Sequence, residues 1–165
     1  MTVDSTEDLF VDGLKHAYYT EQRLVDALDE LEQTSSSQEL KSGFAEHREE
    51  TQNHIDRLEE VFEQIDADAE GEEDPVVKGM IEAHEEFMDK DPSDEALDRF
   101  NIAAGQKSEH YEIAVYGNLI PMADQIGLDD AADTLEQNLR EEQDELDSLS
   151  EMGEEFDYGE LSVSE

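Results

Sequence analysis

The sequence contains no cysteine, and only 10 of its 165 residues are lysine or arginine. Without cysteine the chain can form no disulfide, no thiolate active site, no iron–sulfur cluster and no cysteine zinc site. Long apolar runs are also missing, because no stretch approaches the roughly 20 residues of a membrane-spanning helix. The first residues show no basic segment followed by an apolar one. We therefore expect no secretory signal, no membrane partner and a cytoplasmic location.

The few basic residues face 49 acidic ones, which gives a formal net charge of −39. Such a surface repels phosphates and has no basic patch to release their counterions, so we expect no nucleic-acid partner. The acids are spread along the whole chain, which indicates a solvated coat. Together with the small number of lysines, this acidity is typical of a protein from a salt-accumulating halophile.

Apolar residues recur every three or four positions along most of the chain, which predicts helices and no strands. The predicted helices are about Glu7–Glu32, Glu39–Ile65, Val76–Met88, Asp94–Gln125 and Asp129–Met152. The predicted helix caps are Ser5, Ser36, Ser93 and Asp129. Pro75 is predicted to lie in the first turn of the short helix. Pro121 is predicted to kink or end the third long helix.

The lengths of the connections predict the topology. Short turns join the first long helix to the second and the third to the fourth, which makes each pair antiparallel. A link of about 30 residues, carrying the short helix, can cross the length of a bundle. Two hairpins with one long crossover predict an all-α, ferritin-like four-helix bundle over residues 1–153. Residues 154–165 are acidic and weakly periodic, and we expect a loose tail there.

Polar residues interrupt the apolar stripe of every long helix. They are Glu21, His47 with Glu50 and His54, Glu109 with Glu112, and Glu142. The helical rise places Glu21 and Glu50 at nearly the same height on either side of the first turn. Across the second turn, Glu112 is closer to the height of Glu142 than Glu109 is.

Chance explains any one of these acids in so acidic a chain, because a solvated or paired carboxylate is at least as common. One carboxylate on each of four helices, with histidine nearby, is harder to explain by chance. Buried carboxylates are costly unless they are paired or bound to a metal. The joint pattern predicts a di-iron or di-manganese carboxylate site, for which carboxylate and imidazole ligands are suited.

Four motifs resemble the ferritin-like stress proteins called YciE/YciF, and the similarity extends over nearly the whole chain. The motifs are Tyr18-x-x-Glu21-Gln22, His47-x-x-Glu50-Thr51, the segment Gln106–Ala114 followed by Tyr116, and Leu139-x-x-Glu142. The resemblance implies a ferritin-like bundle, a dinuclear site for two iron or manganese ions, a homodimer and a role in stress.

Carried over by position, the implied metal ligands are Glu21, His47, Glu50, Glu109, Glu112 and Glu142, with His54 and Glu145 as secondary candidates. One departure concerns the second helix. Ferritins carry Glu-x-x-His there, whereas this chain has His47-x-x-Glu50. On the last helix, Glu145 stands three residues after Glu142 where a histidine is expected.

Three functions are compatible with these observations. The first is a dinuclear metal protein of oxidative or general stress, with oxidase or peroxidase chemistry left open. The second is a structural or partner-binding stress protein whose buried acids are protonated or paired. The third is a storage cage, which would require many subunits.

The net charge predicts that stability depends strongly on salt. Repulsion among the acids destabilises the compact state at low ionic strength, and molar salt shortens the Debye length to about 3 Å. We expect the melting temperature, followed by circular dichroism, to rise steadily from millimolar to molar potassium chloride. A melting temperature that is independent of salt would contradict this prediction.

Overall fold

Five helices account for most of the computed structural model, which describes residues 2–161. They are α1 (Thr6–Thr34), α2 (Gln38–Gln64), α3 (Pro75–Met88), α4 (Asp94–Gln125) and α5 (Asp129–Glu154), followed by a 3-10 turn at Tyr158–Glu160. These residues contain no strand, as predicted. The predicted helix ends differ from the observed ones by two residues at most.

The capping residues were predicted correctly for two helices, and so was the first-turn proline of a third. The Ser5 hydroxyl accepts from the Asp8 backbone N–H at 3.0 Å, and Ser93 caps α4 in the same way. Pro75 is the first residue of α3, where its missing N–H costs nothing. α4 continues past Pro121 to Gln125, so the proline does not end the helix.

Two of the predicted caps are wrong. Ser37, and not Ser36, accepts from the Leu40 N–H at the start of α2. Asp129 is the first helical residue of α5 and not its cap, since Leu128 takes the cap position without a side-chain hydrogen bond.

The α1–α2 turn is held by a buried acid from another helix. Asp98 of α4 accepts from the Ser36 N–H at 2.7 Å, from the Ser36 hydroxyl at 2.7 Å and from the Ser37 N–H at 3.0 Å. This long-range contact explains why Ser36 is unavailable as a cap. Spacing along the sequence could not show it, because Asp98 lies about 60 residues away.

The helices form two antiparallel hairpins, α1–α2 and α4–α5, which pack against each other through α1–α4 and α2–α5. The crossover between α2 and α4 carries α3, which packs on α4 and α1. This is the predicted ferritin-like bundle. None of the helices in the described range combines the length and apolar character that crossing a bilayer requires.

The core consists of two apolar clusters. The larger surrounds Phe10, Leu58 and Leu135, and the smaller surrounds Leu31, Phe44 and Leu149. Between them, at the middle of the bundle, the buried side chains are polar. The fold therefore places a polar layer where apolar packing would otherwise be continuous.

The segment after α5 keeps contact with the bundle as far as Tyr158. Phe156 packs against the smaller apolar cluster, and Arg99 Nε donates to the Tyr158 hydroxyl at 2.7 Å. The last four residues of the tail predicted for 154–165 lie outside the described residues.

Replacing Asp98 by alanine should destabilise the protein by about 2 kcal/mol, because it removes a buried charged acceptor from two part-buried N–H groups and a hydroxyl. Chemical denaturation at fixed salt measures the change. Asp124→Ala removes an exposed acid from the same helix and should alter stability by less than about 0.5 kcal/mol. If the two substitutions lower the free energy of unfolding equally, the Asp98 hydrogen bonds do not stabilise the fold.

Candidate metal centre

Four side chains from three helices converge on one side of the polar layer. His47 of α2 meets Glu109 and Glu112 of α4 and Glu142 of α5, and one potential ligand atom from each lies within 4.8 Å of the others. His47 Nε2 is 2.9 Å from Glu109 Oε1 and 3.8 Å from Glu142 Oε2. All four residues are buried.

A second group lies beside the first and shares one member with it. Glu21 of α1, His54 of α2 and Glu142 also bring their ligand atoms within 4.8 Å of one another. His54 Nδ1 is 2.9 Å from Glu142 Oε1 and 3.4 Å from Glu21 Oε1. Because Glu142 belongs to both groups through different oxygens, the two possible metal positions are neighbours with a carboxylate between them.

The carboxylates of this layer have few hydrogen-bond donors. Apart from the histidine contacts given above, both oxygens of Glu109, Glu112 and Glu142, and Oε2 of Glu21, are buried without a hydrogen-bond partner in the described part of the chain. Nδ1 of His47 is also buried without a hydrogen-bond partner. Unpartnered buried acceptors are costly, and a cation is what such acceptors bind best. The donor set of oxygen and imidazole nitrogen fits iron or manganese.

Burial dominates the pKa values of the two α4 acids. Burial raises the pKa of Glu109 well above its usual value, against the lowering effect of the His47 charge. It also raises that of Glu112, where the charges of Glu142 and Glu21 add to the effect.

The two histidines and Glu142 are shifted in the opposite sense, toward their charged forms. Burial lowers the pKa of His54, but hydrogen bonds with Glu142 and Glu21 outweigh it and raise the pKa to about 11. His47 is raised in the same way, chiefly by Glu109. Burial raises the pKa of Glu142, but the hydrogen bonds from His54 and Glu109 outweigh it and lower the pKa to about 2.

A hydrogen-bond network surrounds the His54 side of the layer. His54 Nε2 donates to Glu141 Oε2 at 2.8 Å, and Arg57 donates to both oxygens of Glu141. Since Glu141 can only accept, Nε2 carries the proton, and a neutral His54 would present the lone pair of Nδ1 to a metal. Arg57 also donates to Asn138 at 2.9 Å.

The same network reaches Glu21 from the other side. Asn138 Nδ2 donates to the Tyr116 hydroxyl at 3.2 Å, and that hydroxyl donates to Glu21 Oε1. Burial and the Glu21 charge raise the pKa of Tyr116 well above its usual value, so it remains a donor. These contacts fix the orientation of one carboxylate in the second group.

Six of the eight residues named from the sequence meet in this layer. Glu50 and Glu145 do not belong to either group. Glu50 is half-buried, and its Oε2 lies 3.6 Å from His47 Nδ1, on the side away from the other acids. Glu145 lies one turn beyond Glu142, and burial raises its pKa to about 7.

The position of Glu50 has a simple geometric reason. The helical rise gave its height along the bundle correctly, but Glu50 is rotated about 60° from His47 around the helix axis. His47, Thr51 and His54 form the buried stripe of α2 at this level. The two α2 residues in the layer are therefore His47 and His54, whereas we expected His47 and Glu50.

Three residues of the network around His54 and Glu21 were not among those predicted from the sequence. Asn138 lies one turn before Glu142 on the stripe of α5, and a polar residue at that position was a usable signal. Glu141 and Arg57 carry no such signal, because partly exposed charged residues are abundant in this chain. Only the tertiary structure pairs them with His54.

The chain matches the sequence pattern of the family described as domain of unknown function DUF892 over residues 5–157. It is 36% identical over 143 residues to protein YciF of Escherichia coli strain K12, which covers 86% of each chain. This chain belongs to the YciE/YciF family. The resemblance found in the four motifs is thereby confirmed.

Solved structures of the family have the same fold. The structure of the E. coli stress protein YciF superposes with a TM-score of 0.86 at 34% identity and covers 91% of this chain and 95% of its own. That of YcfI from Rhodopseudomonas palustris gives 0.87 at 35% identity, with 90% and 94% covered. A protein from Xanthomonas campestris pv. campestris, 20% identical with a TM-score of 0.74 over 91% of this chain and 92% of its own, shares the fold alone.

The raised pKa of His54 predicts how the stability of the metal-free protein depends on pH. The folded state keeps a proton that the unfolded chain releases above about pH 6.5, so the stabilising contribution is complete below that pH. It is lost as the pH rises toward the folded-state pKa of about 11. Denaturation midpoints of chelator-treated protein should therefore fall between about pH 7 and 10.

The matched control is His54→Gln, which keeps a polar side chain but cannot titrate. Its midpoint should fall less over the same pH range. Parallel curves for the two proteins would contradict the contribution assigned to His54.

Proposed function

We propose that this protein binds two iron or manganese ions in the polar layer and acts in an oxidative or general stress response. The proposed ligands are Glu109, Glu112 and His47 for one ion, Glu21 and His54 for the other, and Glu142 for both. The stress role rests on family membership, because the E. coli relative is described as a stress protein.

The observation that carries the proposal is the sharing of Glu142 by two groups of ligands whose remaining oxygens have no donor. A single buried acid can be neutralised by a proton. Four buried carboxyls and two histidines around one axis of the bundle form a more costly arrangement unless cations replace protons. In ferritin-like proteins, facing helices supply this kind of ligand set.

Bound iron would supply one-electron redox chemistry toward oxygen or peroxide. The contribution of the chain is to hold the ligands and to exclude water. The apolar clusters above and below the layer leave its side chains almost without solvent contact. Tyr116 and Glu141 orient Glu21 and His54 through direct hydrogen bonds.

The second candidate is a structural or partner-binding stress protein without metal. The ion pairs His47–Glu109 and His54–Glu142, each at 2.9 Å, favour it because they compensate charges within the layer. They leave Glu112 unexplained, since neither of its oxygens has a partner. This candidate predicts no metal after purification and no stabilisation by added iron or manganese.

Substitution of the shared ligand separates the two candidates. The unsubstituted protein, purified at high salt without chelator and incubated with ferrous iron or manganese, should contain about two metal ions per chain. Glu142→Gln should lose both ions, whereas Glu112→Gln should lose only the one on the His47 side. Elemental analysis measures the stoichiometry.

Asp144→Asn is the matched control, because it removes an exposed acid two residues from Glu142 and should retain both ions. Two ions per chain in Glu142→Gln would refute the shared-ligand assignment. The homodimer, the cytoplasmic location and the halophilic origin inferred from the sequence stay predictions.

A further inference from the structure

The two sides of the polar layer differ in how they are covered. α3 packs on α4 and α1, and its cap residue Asp74 accepts from Thr20 and Tyr111, which precede Glu21 and Glu112. This side of the layer is closed by a helix and a buried hydrogen-bond cluster. Within residues 2–161, no helix lies in the same way over the seam between α2 and α5.

Exposure decreases stepwise across that seam. The Glu50 side chain is 36% exposed, that of His47 is 2% exposed, and that of Glu142 behind it is fully buried. Glu145 of α5 is half-buried one turn from Glu142, where the charges of His47 and Glu50 act on it. These residues therefore lie between solvent and the proposed ligands.

His47 carries an unused nitrogen that points along this path. Its Nε2 faces inward to Glu109, while its Nδ1 is buried, has no hydrogen-bond partner and lies 3.6 Å from Glu50 Oε2. That separation is too long for a hydrogen bond. It is close to the separation of a nitrogen and an oxygen bound tetrahedrally to one ion, since bonds of about 2.1 Å at about 109° separate the two atoms by about 3.4 Å.

The acids at this position have no basic partner. Glu141, on the same seam, is paired with Arg57, but neither Glu50 nor Glu145 forms an ion pair with a lysine or arginine among the described residues. Their charge therefore remains available to a cation. Elsewhere in the described residues, arginines form ion pairs with acids. Arg48, for example, lies 2.8 Å from Glu32.

From these contacts we infer that His47 Nδ1 and Glu50, with the charge of Glu145 beside them, form an outer site that takes divalent metal ions from solvent and passes them to the buried pair. The inference rests on the proposed metal function. A neutral imidazole has one lone pair, so His47 cannot serve an ion on each side at once. The outer site is consequently a place of transit and does not raise the number of ions held at equilibrium.

A transit site changes rates and leaves affinity unchanged, which distinguishes it from a ligand or a positioning residue. Cobalt(II) uptake by metal-free protein is followed by stopped-flow absorbance at fixed salt, and release is followed with excess chelator. Glu50→Gln and Glu145→Gln should each lower the association rate constant about tenfold, the low end of what local charge contributes. Release should slow equally, with Kd and stoichiometry unchanged.

The controls Glu49→Gln and Asp144→Asn remove the same charge from exposed neighbouring positions. They correct for the general attraction of an acidic surface and should change the association rate less than about twofold. Circular dichroism checks that all four variants fold.

Equal rates for Glu50→Gln and Glu49→Gln would overturn the transit site while leaving the buried pair intact. Faster release with weaker Kd and unchanged association would also overturn it, because Glu50 would then hold or orient a bound ion. If the unsubstituted protein takes up no cobalt at all, the metal function itself fails, and the outer site fails with it.

Discussion

A layer of buried carboxylates inside an apolar bundle is the constraint on which the rest of this structure depends. Each carboxylate is costly there, and together they repel one another. The chain reduces the cost by placing His47 and His54 between the acids, and burial raises the pKa of Glu109 and Glu112. Only Glu142, which lies against both histidines, is strongly favoured as an anion.

The apolar clusters on either side of the layer make this arrangement possible. They fix the four long helices at both ends of the bundle, so the polar residues in the middle need not contribute to packing. Hydrogen bonds from residues around the layer then orient individual side chains within it. The Arg57 side chain serves two branches of that network, one through Glu141 to His54 and one through Asn138 and Tyr116 to Glu21.

The crossover gives the bundle two unequal faces. A simple four-helix bundle would leave both sides of its polar layer equally open. Here the Asp74 cap of α3 joins Thr20 and Tyr111 in a closed cluster over α1 and α4. The α2–α5 seam keeps its unpaired acids at the surface. In a chain with so few basic residues, an acid at the surface without a basic partner is a candidate for binding a cation.

The sequence by itself determined the fold class, the helices and the level at which the polar residues meet, because these follow from helical periodicity, rise and connection length. It could not determine which way a residue near the edge of a stripe points. Glu50 and His54 show this. Glu50 is rotated out of the cluster by a few tens of degrees, whereas His54 points into it. The pairing of Glu141 with His54 and of Asp98 with Ser36 was decided only by the tertiary structure, because these contacts join residues more than 60 positions apart. The spacing of residues along one helix does not predict contacts between residues so far apart in the sequence.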